Sequence, residues 1–243
     1  MLRKGGKTEK RLKKLLRRVH RPQWQPVAGI ELPLRHPLIT PPIERDIYFG
    51  DYERKELDVI ERRLEPGDKV MEVGAGIGFL SAYCARILGD ERVFAYEANP
   101  ALLDLIGVVH ARNKVHPQVT QALLGDGDGE RDFFVEPDYW ASSLVRRSAK
   151  ASCVRIRQID FNSELRRVAP SFLIVDVEGG EYELLRNADL AVVSKLCLEI
   201  HPDVLGNARV SELFAHLIDA GLAIDFSLMR KNVFFFYRPP SRS

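Results

Sequence analysis

Apolar positions in this chain fall into short solid runs separated by stretches of helical spacing, a pattern that predicts strands alternating with helices. From Asp51, Leu57, Ile60 and Leu64 recur among charges as one helix face, and Pro66-Gly67-Asp68 closes the helix. Val70 to Val73 is a short apolar strand, Phe79 to Leu88 reads as a crossover helix closed by Gly89, and Val93 to Glu97 as a second strand. Residues 100–113 form the next helix, with Leu105, Ile106, Val109 and His110 mostly on one face, and residues 119–124 a third strand. Residues 131–135 and 153–159 read as two short strands, an insertion around Tyr139-Trp140-Ala141-Ser142-Ser143-Leu144. The solid run 172–177 fits a parallel strand buried on both faces. A helix through Glu183, Leu184 and Leu185 follows, then a strand at 195–200 and a helix at 210–220 ending at Gly221. Residues 223–228 pair with 232–237 as a terminal hairpin. Together these elements predict an open, doubly wound α/β sheet.

Chemistry enters where the first strand meets its helix, in Val70-Met71-Glu72-Val73-Gly74-Ala75-Gly76-Ile77-Gly78. Glycines at alternate positions let the backbone turn tightly and let a ligand approach the main chain and the free N–H groups of the helix. A dinucleotide loop places its third glycine three positions after the second; here the interval is two, which argues against a dehydrogenase. Glu97 ends the second strand 19 residues beyond Gly78, suitably placed to accept hydrogen bonds from both hydroxyls of a ribose. This loop with its acid resembles the cofactor site of class I S-adenosylmethionine-dependent methyltransferases. The expected cofactor residues are Glu72, Gly74, Ala75, Gly76, Gly78, Glu97 and Ala98. Asp126, at the carboxyl end of the third strand, is expected to reach the adenine amino group, with a plain turn acid as the alternative. Asp126-Gly127-Asp128-Gly129-Glu130 is not a calcium loop, because the twelfth position is Pro137 rather than glutamate.

Two later strand ends carry polar groups, Asp176-Val177-Glu178-Gly179-Gly180-Glu181 and Glu199-Ile200-His201-Pro202. Side-chain alternation puts Asp176 and Glu178 on one face, and Glu199 and His201 on another. If the two strands are neighbours, these groups gather at the carboxyl edge where open α/β sheets bind ligands. Asp176, Glu178 and His201 are the candidate catalytic residues: a carboxylate takes the acceptor's proton, while clustered acids hold His201 protonated to orient substrate. A divalent ion among Asp176, Glu199 and His201 is the alternative; no metal ligand is assigned. Glu181 reads as a first-turn helix acid, and Glu199 as a structural hydrogen-bond partner. The motif Asp-Val-Glu-Gly-Gly-Glu with Leu184-Leu185, the later Glu-Ile-His-Pro, and Ser142-Ser143-Leu144 resemble the FkbM family of methyltransferases over roughly residues 48–203. The resemblance implies a Rossmann-like, seven-stranded, mostly parallel sheet with a terminal antiparallel hairpin. It also implies S-adenosyl-L-methionine as donor and O-methylation of a hydroxyl, often on a sugar, glycan or other natural product. Ala75 departs from the asparagine often found there.

Composition adds the flanking segments. At 243 residues and 45% hydrophobic, the chain can bury a sizeable core. Three scattered cysteines with no C-x-x-C pair point to a reducing, cytoplasmic setting. No apolar run reaches the roughly 18–20 residues of a membrane span, and no signal peptide is read. Residues 1–22 hold ten Lys/Arg against one acid, leaving 26 basic against 33 acidic residues in the remainder. This basic arm, with Leu12, Leu15, Leu16 and Val19 at helical spacing, would meet nucleic acid, anionic membrane or the acidic domain, or stay a solvated tail. Six prolines within residues 22–46 predict that the segment 23–47 runs extended without a regular helix, before a methyltransferase domain at 48–243. The rival functions are nucleic-acid methylation through the arm and non-catalytic S-adenosylmethionine binding. Against ribose methylation, Lys195 begins its strand, roughly 20 Å from the active edge at about 3.3 Å per residue.

Overall fold

The computed structural model describes residues 22–136, 146 and 148–240, and the chain divides after Arg54 into two units. Residues 1–21 of the arm and Tyr139-Trp140-Ala141-Ser142-Ser143-Leu144 lie outside the described residues. In the first unit β1 (Trp24–Val27) and β2 (Ile30–Pro33) pair antiparallel, and α1 (Pro41–Phe49) follows. The expectation of an extended, helix-free segment is therefore corrected. Ala28 and Gly29 both take positive φ, the two-residue turn whose twist suits a hairpin. Pro41 and Pro42 open α1, where a missing N–H is no loss and the fixed φ is already helical.

The second unit begins with α2 (Arg54–Arg63), β3 (Val70–Val73), α3 (Phe79–Leu88), β4 (Val93–Glu97), α4 (Leu103–Asn113) and β5 (Gln118–Gln121). It continues with β6 (Leu123–Gly125), β7 (Gly129–Val135), β8 (Ser152–Asp160), α5 (Phe161–Val168), β9 (Phe172–Val175) and α6 (Glu181–Leu185). Then come β10 (Lys195–Glu199), α7 (Pro202–Leu205), α8 (Asn207–Asp219), β11 (Ala223–Ile224) and β12 (Val233–Tyr237). Seven strands form one sheet in the order β5-β4-β3-β9-β10-β12-β11, parallel except for the antiparallel β12 and its pairings. β3 and β9 are buried at every residue, so both their faces carry apolar side chains under helices. Strand order reverses at β3, which has β4 on one side and β9 on the other. Their carboxyl ends therefore diverge into a crevice.

The predicted third strand proves to be two. β5 pairs with β4 up to Gln121 opposite Glu97; the chain then leaves, and β6 pairs with β8 in a separate three-stranded sheet, β6-β8-β7. The terminal hairpin is shorter than expected. Only Ala223 and Ile224 pair with β12, because Asp225 accepts from the Ser227 N–H and winds the next residues into a tight helical turn.

Aromatic packing holds β12 in place. The Phe214 ring of α8 meets Phe234 and Phe236 edge-on at 4.9 and 5.3 Å. Phe236→Ala removes a fully buried ring and should destabilise the protein by about 3–5 kcal/mol. Denaturant unfolding checks this, and a loss below about 1 kcal/mol would show that β12 does not depend on this packing.

Candidate active site

Gly74, Gly76 and Gly78 all take positive φ, and the loop they form is pinned to β4 by the Gly74 and Ala75 N–H groups, which donate to the Tyr96 carbonyl. Gly74 has a further reason to lack a side chain. A Cβ there would lie 1.8 Å from the carbonyl oxygen of Asp176, so β3 and β9 can end side by side only if residue 74 is glycine. At Gly78 a Cβ would lie 2.8 Å from His110 Nε2, where α4 presses against the start of α3. His110 is buried, its pKa lowered to about 4 by burial, and its neutral ring bonds Ser81 Oγ at 3.1 Å.

The loop encloses two buried acids. Glu97 accepts from the Gly76 N–H at 2.9 Å through one oxygen and from the Asn99 N–H at 2.7 Å through the other. Each oxygen keeps acceptor capacity for a ligand hydroxyl. Burial raises the Glu97 pKa to about 7, against the backbone bonds from Asn99, Gly76 and Ala98. Glu72 is 1% exposed and its Oε2 has no partner among the described residues. Burial raises its pKa to about 8, with hydrogen bonding to Ser81 opposing. Asn99 is also 1% exposed, and its side-chain nitrogen likewise lacks a partner. An unpartnered buried acceptor, an unpartnered buried donor and a carboxylate with spare lone pairs are the chemistry of a site built for a polar, hydroxyl-bearing cofactor. Asn99 was not singled out in the sequence because an asparagine before proline reads as turn chemistry.

Asp126 is placed by the split strand. It lies exposed just past β6 rather than at the carboxyl end of the main-sheet strand, bonding Asn187 at 3.1 Å with Arg186 at 3.5 Å.

Across the crevice, β9 and β10 are adjacent and parallel, as expected, and bring Asp176, Glu199 and His201 together. The alternation argument for their faces does not hold, because β9 stops at Val175 and β10 at Glu199. Glu178 reaches the site through a turn, at φ +43, a left-handed conformation costing a non-glycine residue about 1–2 kcal/mol. Its Oε2 lies 3.5 Å from His201 Nε2. His201 is held at the entry to α7 by Pro202, and its Nδ1 bonds Glu181 Oε1. Burial disfavours the charged ring, but the bond to Glu181 and the charges of Glu178, Glu181 and Glu199 outweigh it, so its pKa is raised.

Three participants were not legible as such. Glu181 is a first-turn helix acid, as read, and also a fully buried partner of His201. Lys55 turns inward from α2 to Glu199, with Asn232 Oδ1 at 3.0 Å. Asn232 also donates to Glu199 at 2.7 Å. Burial opposes the Lys55 charge, but its carboxylate neighbours raise its pKa; Lys55 in turn holds Glu199 below the usual carboxylate range. The adjacent Glu56 is buried, and burial with the Glu199 charge raises its pKa to about 7. These residues are distant in sequence, and a lysine on a charged helix carries no local signal. Lys195 is placed as expected, at the opposite edge with Asp68 at 2.9 Å.

The strand order, with one antiparallel strand inserted next to the last, defines a class I methyltransferase fold. Residues 72–221 match the methyltransferase FkbM domain, and the chain belongs to that family. Ribosomal protein L11 methyltransferases of Bacillus subtilis and Geobacillus thermodenitrificans are 39% and 35% identical over 98 residues. Those 98 residues make up 39% of this chain and 31% of each relative, so the chain spans about a third of their length. Among solved structures, the ribosomal protein L11 methylase of Lactobacillus delbrueckii subsp. bulgaricus aligns over 78% of this chain and 80% of its own, with a TM-score of 0.47 and 10% identity. Precorrin-6y C5,15-methyltransferase of Geobacter metallireducens covers 77% and 87%, with a TM-score of 0.45 and 14% identity. At these scores neither bears on the acceptor.

Glu72 also makes stability depend on pH. Its folded pKa of about 8 lies above the usual 4.5, so its contribution is fully present below pH 4.5 and is lost as pH rises through 8. At most this amounts to about 5 kcal/mol. Glu72→Gln should lose less stability than the parent between pH 5 and 8 when both are melted without ligand. Equal pH slopes would mean that Glu72 titrates normally.

Proposed function

We propose that this chain binds S-adenosyl-L-methionine at the glycine loop and methylates a hydroxyl of a sugar, glycan or other small natural product, in the cytoplasm. The observation that supports it most is the close approach of Gly74 to the Asp176 carbonyl, which fastens the cofactor loop to the acid cluster. The cofactor when bound supplies an activated methyl group. Glu97 accepts from the ribose hydroxyls, Gly76 and Ala98 present backbone around it, and Glu72 and Asn99 offer their unpartnered polar atoms to the cofactor's remaining polar groups. One carboxylate, Asp176 or Glu178, is the base that takes the hydroxyl proton as the methyl moves. His201, protonated beside Glu178 and Glu181, orients the acceptor oxygen. The residues around the acceptor need mainly to align it and exclude water.

Nucleic acid is the second reading, favoured by the ten basic residues of 1–22. It would show as acceptor turnover that falls steeply with salt and is lost when residues 1–22 are removed. A small hydroxyl acceptor should be turned over equally well by the truncated chain.

Mass spectrometry with labelled S-adenosylmethionine across glycans, small hydroxylated metabolites, RNA and ribosomal protein tests the acceptor class. Gly76→Val should abolish cofactor binding in calorimetry; unchanged affinity in a folded variant would remove the site from the loop. Asp176→Asn and Glu178→Gln should keep cofactor affinity, and loss of the base should cost about 10²–10⁴-fold in turnover. If both variants, and His201→Ala, turn over within a few-fold of the parent, the base lies elsewhere.

A further inference from the structure

The acid cluster has an electrostatic problem that methyl transfer does not solve. Asp176, Glu178, Glu181 and Glu199 converge with the buried Glu56 on one half-buried corner, and the cations facing them include Lys55 and His201 among the described residues. Lys55 meets Glu199 through Oε1, the oxygen that Asn232 also bonds. The opposite side of the cluster is lined by carboxylates and an imidazole. Negative charge gathered away from bulk water attracts a compact cation strongly.

The geometry has the form of a metal site. Asp176, Glu199 and His201 each offer one ligand atom, and all three lie within 4.8 Å of one another. A six-coordinate ion at about 2.1 Å places its ligand atoms roughly 3–4.2 Å apart, a closure that small side-chain rotations supply. The buried partner of the histidine accompanies it. The Nδ1 of His201 is committed to Glu181, which leaves Nε2 for an ion, the arrangement by which a second carboxylate fixes a metal-binding imidazole. Glu181 itself is fully buried and aimed at that ring, and its Oε2 has no partner among the described residues.

We propose that Asp176, Glu199 and His201 bind one divalent cation of the Mg²⁺ or Mn²⁺ class at the carboxyl edge of β9 and β10. Two carboxylates with one imidazole are hard enough for Mg²⁺ and nitrogen-bearing enough to prefer Mn²⁺. Glu178, 3.5 Å from Nε2, lines the open side, where an acceptor hydroxyl would complete the ion's coordination. The site goes beyond the methyl-transfer reading: with an ion bound, His201 is neutral at Nε2 and Asp176 is a ligand, so their proposed roles pass to the ion and Glu178 is left as the base.

The test is binding of Mn²⁺ alone to the full chain stripped by chelator, followed by calorimetry and by the loss of the free-ion paramagnetic resonance signal. One saturable site per chain is expected. Glu199→Gln and His201→Asn should remove it, and Glu181→Gln should weaken it by about 10–100-fold, as loss of an orienting partner does. Lys55→Met should tighten it by removing a nearby positive charge. No saturable binding in the parent, or binding that all three ligand-side variants leave unchanged, overturns the proposal. Binding that exists only in Lys55→Met overturns it too, because the ammonium would then hold the cation's place. S-adenosylmethionine affinity in the same samples reports folding of each variant. It also separates the two readings, since cofactor binding and turnover without Mn²⁺ binding would leave the proposed function standing and the metal site refuted.

Discussion

The site depends on one contact, the approach of the Gly74 backbone to the carbonyl of Asp176. Any side chain at 74 would meet that oxygen at well under contact distance, so the ends of β3 and β9 can lie together only through a glycine. The Asp176 N–H donates to the Val73 carbonyl at 3.0 Å, and the loop's own N–H groups donate to Tyr96 on the other side. Three strand ends are thereby laced together by main-chain bonds. The glycine loop and the strand end that carries Asp176 are thus joined through the main chain.

These main-chain ties let the protein hold buried charge that would otherwise be expelled. Glu72 and Glu97 sit almost without solvent, their carboxyls raised toward neutrality by burial. On the other side Glu199 stays ionised because Lys55 and Asn232 are fixed against it. The two halves are tuned in opposite senses. Burial pushes the loop acids toward the neutral form, whereas Glu199 is held toward its charged form near a histidine whose pKa is raised. Such a division suits a reaction that binds one partner by hydrogen bonds and takes a proton from the other.

One of the left-handed non-glycine residues stands where the chemistry is proposed. Glu178 is a non-glycine residue in left-handed conformation, in the turn that carries it beside His201. The turn is closed by the Gly180 N–H donating to Val177 and by the Gly179 N–H donating to Glu181. Glu181 thus orders both the turn and the imidazole. The family to which the chain belongs accounts for a methyl-transferring domain, while the acceptor and the ion rest on the local arrangement of these side chains.

The sequence by itself determined the layers and the loop. Solid apolar runs such as Phe172–Val175 can only be strands covered on both faces, and alternate glycines after Val73 can only be a tight turn into a helix. Those signals are local, carried by residues a few positions apart. Pro41 and Pro42 misled because proline forbids a helix's interior but favours its first turn, and composition does not say which applies. Tertiary structure alone decided where β5 ended, which placed Asp126 just past β6 beside Asn187, and that Lys55, 144 residues from Glu199, would supply its counter-charge. The physical reason is range. Hydrophobic period and backbone conformation are set by near neighbours, whereas the partner of a buried charge is whatever the folded sheet brings beside it.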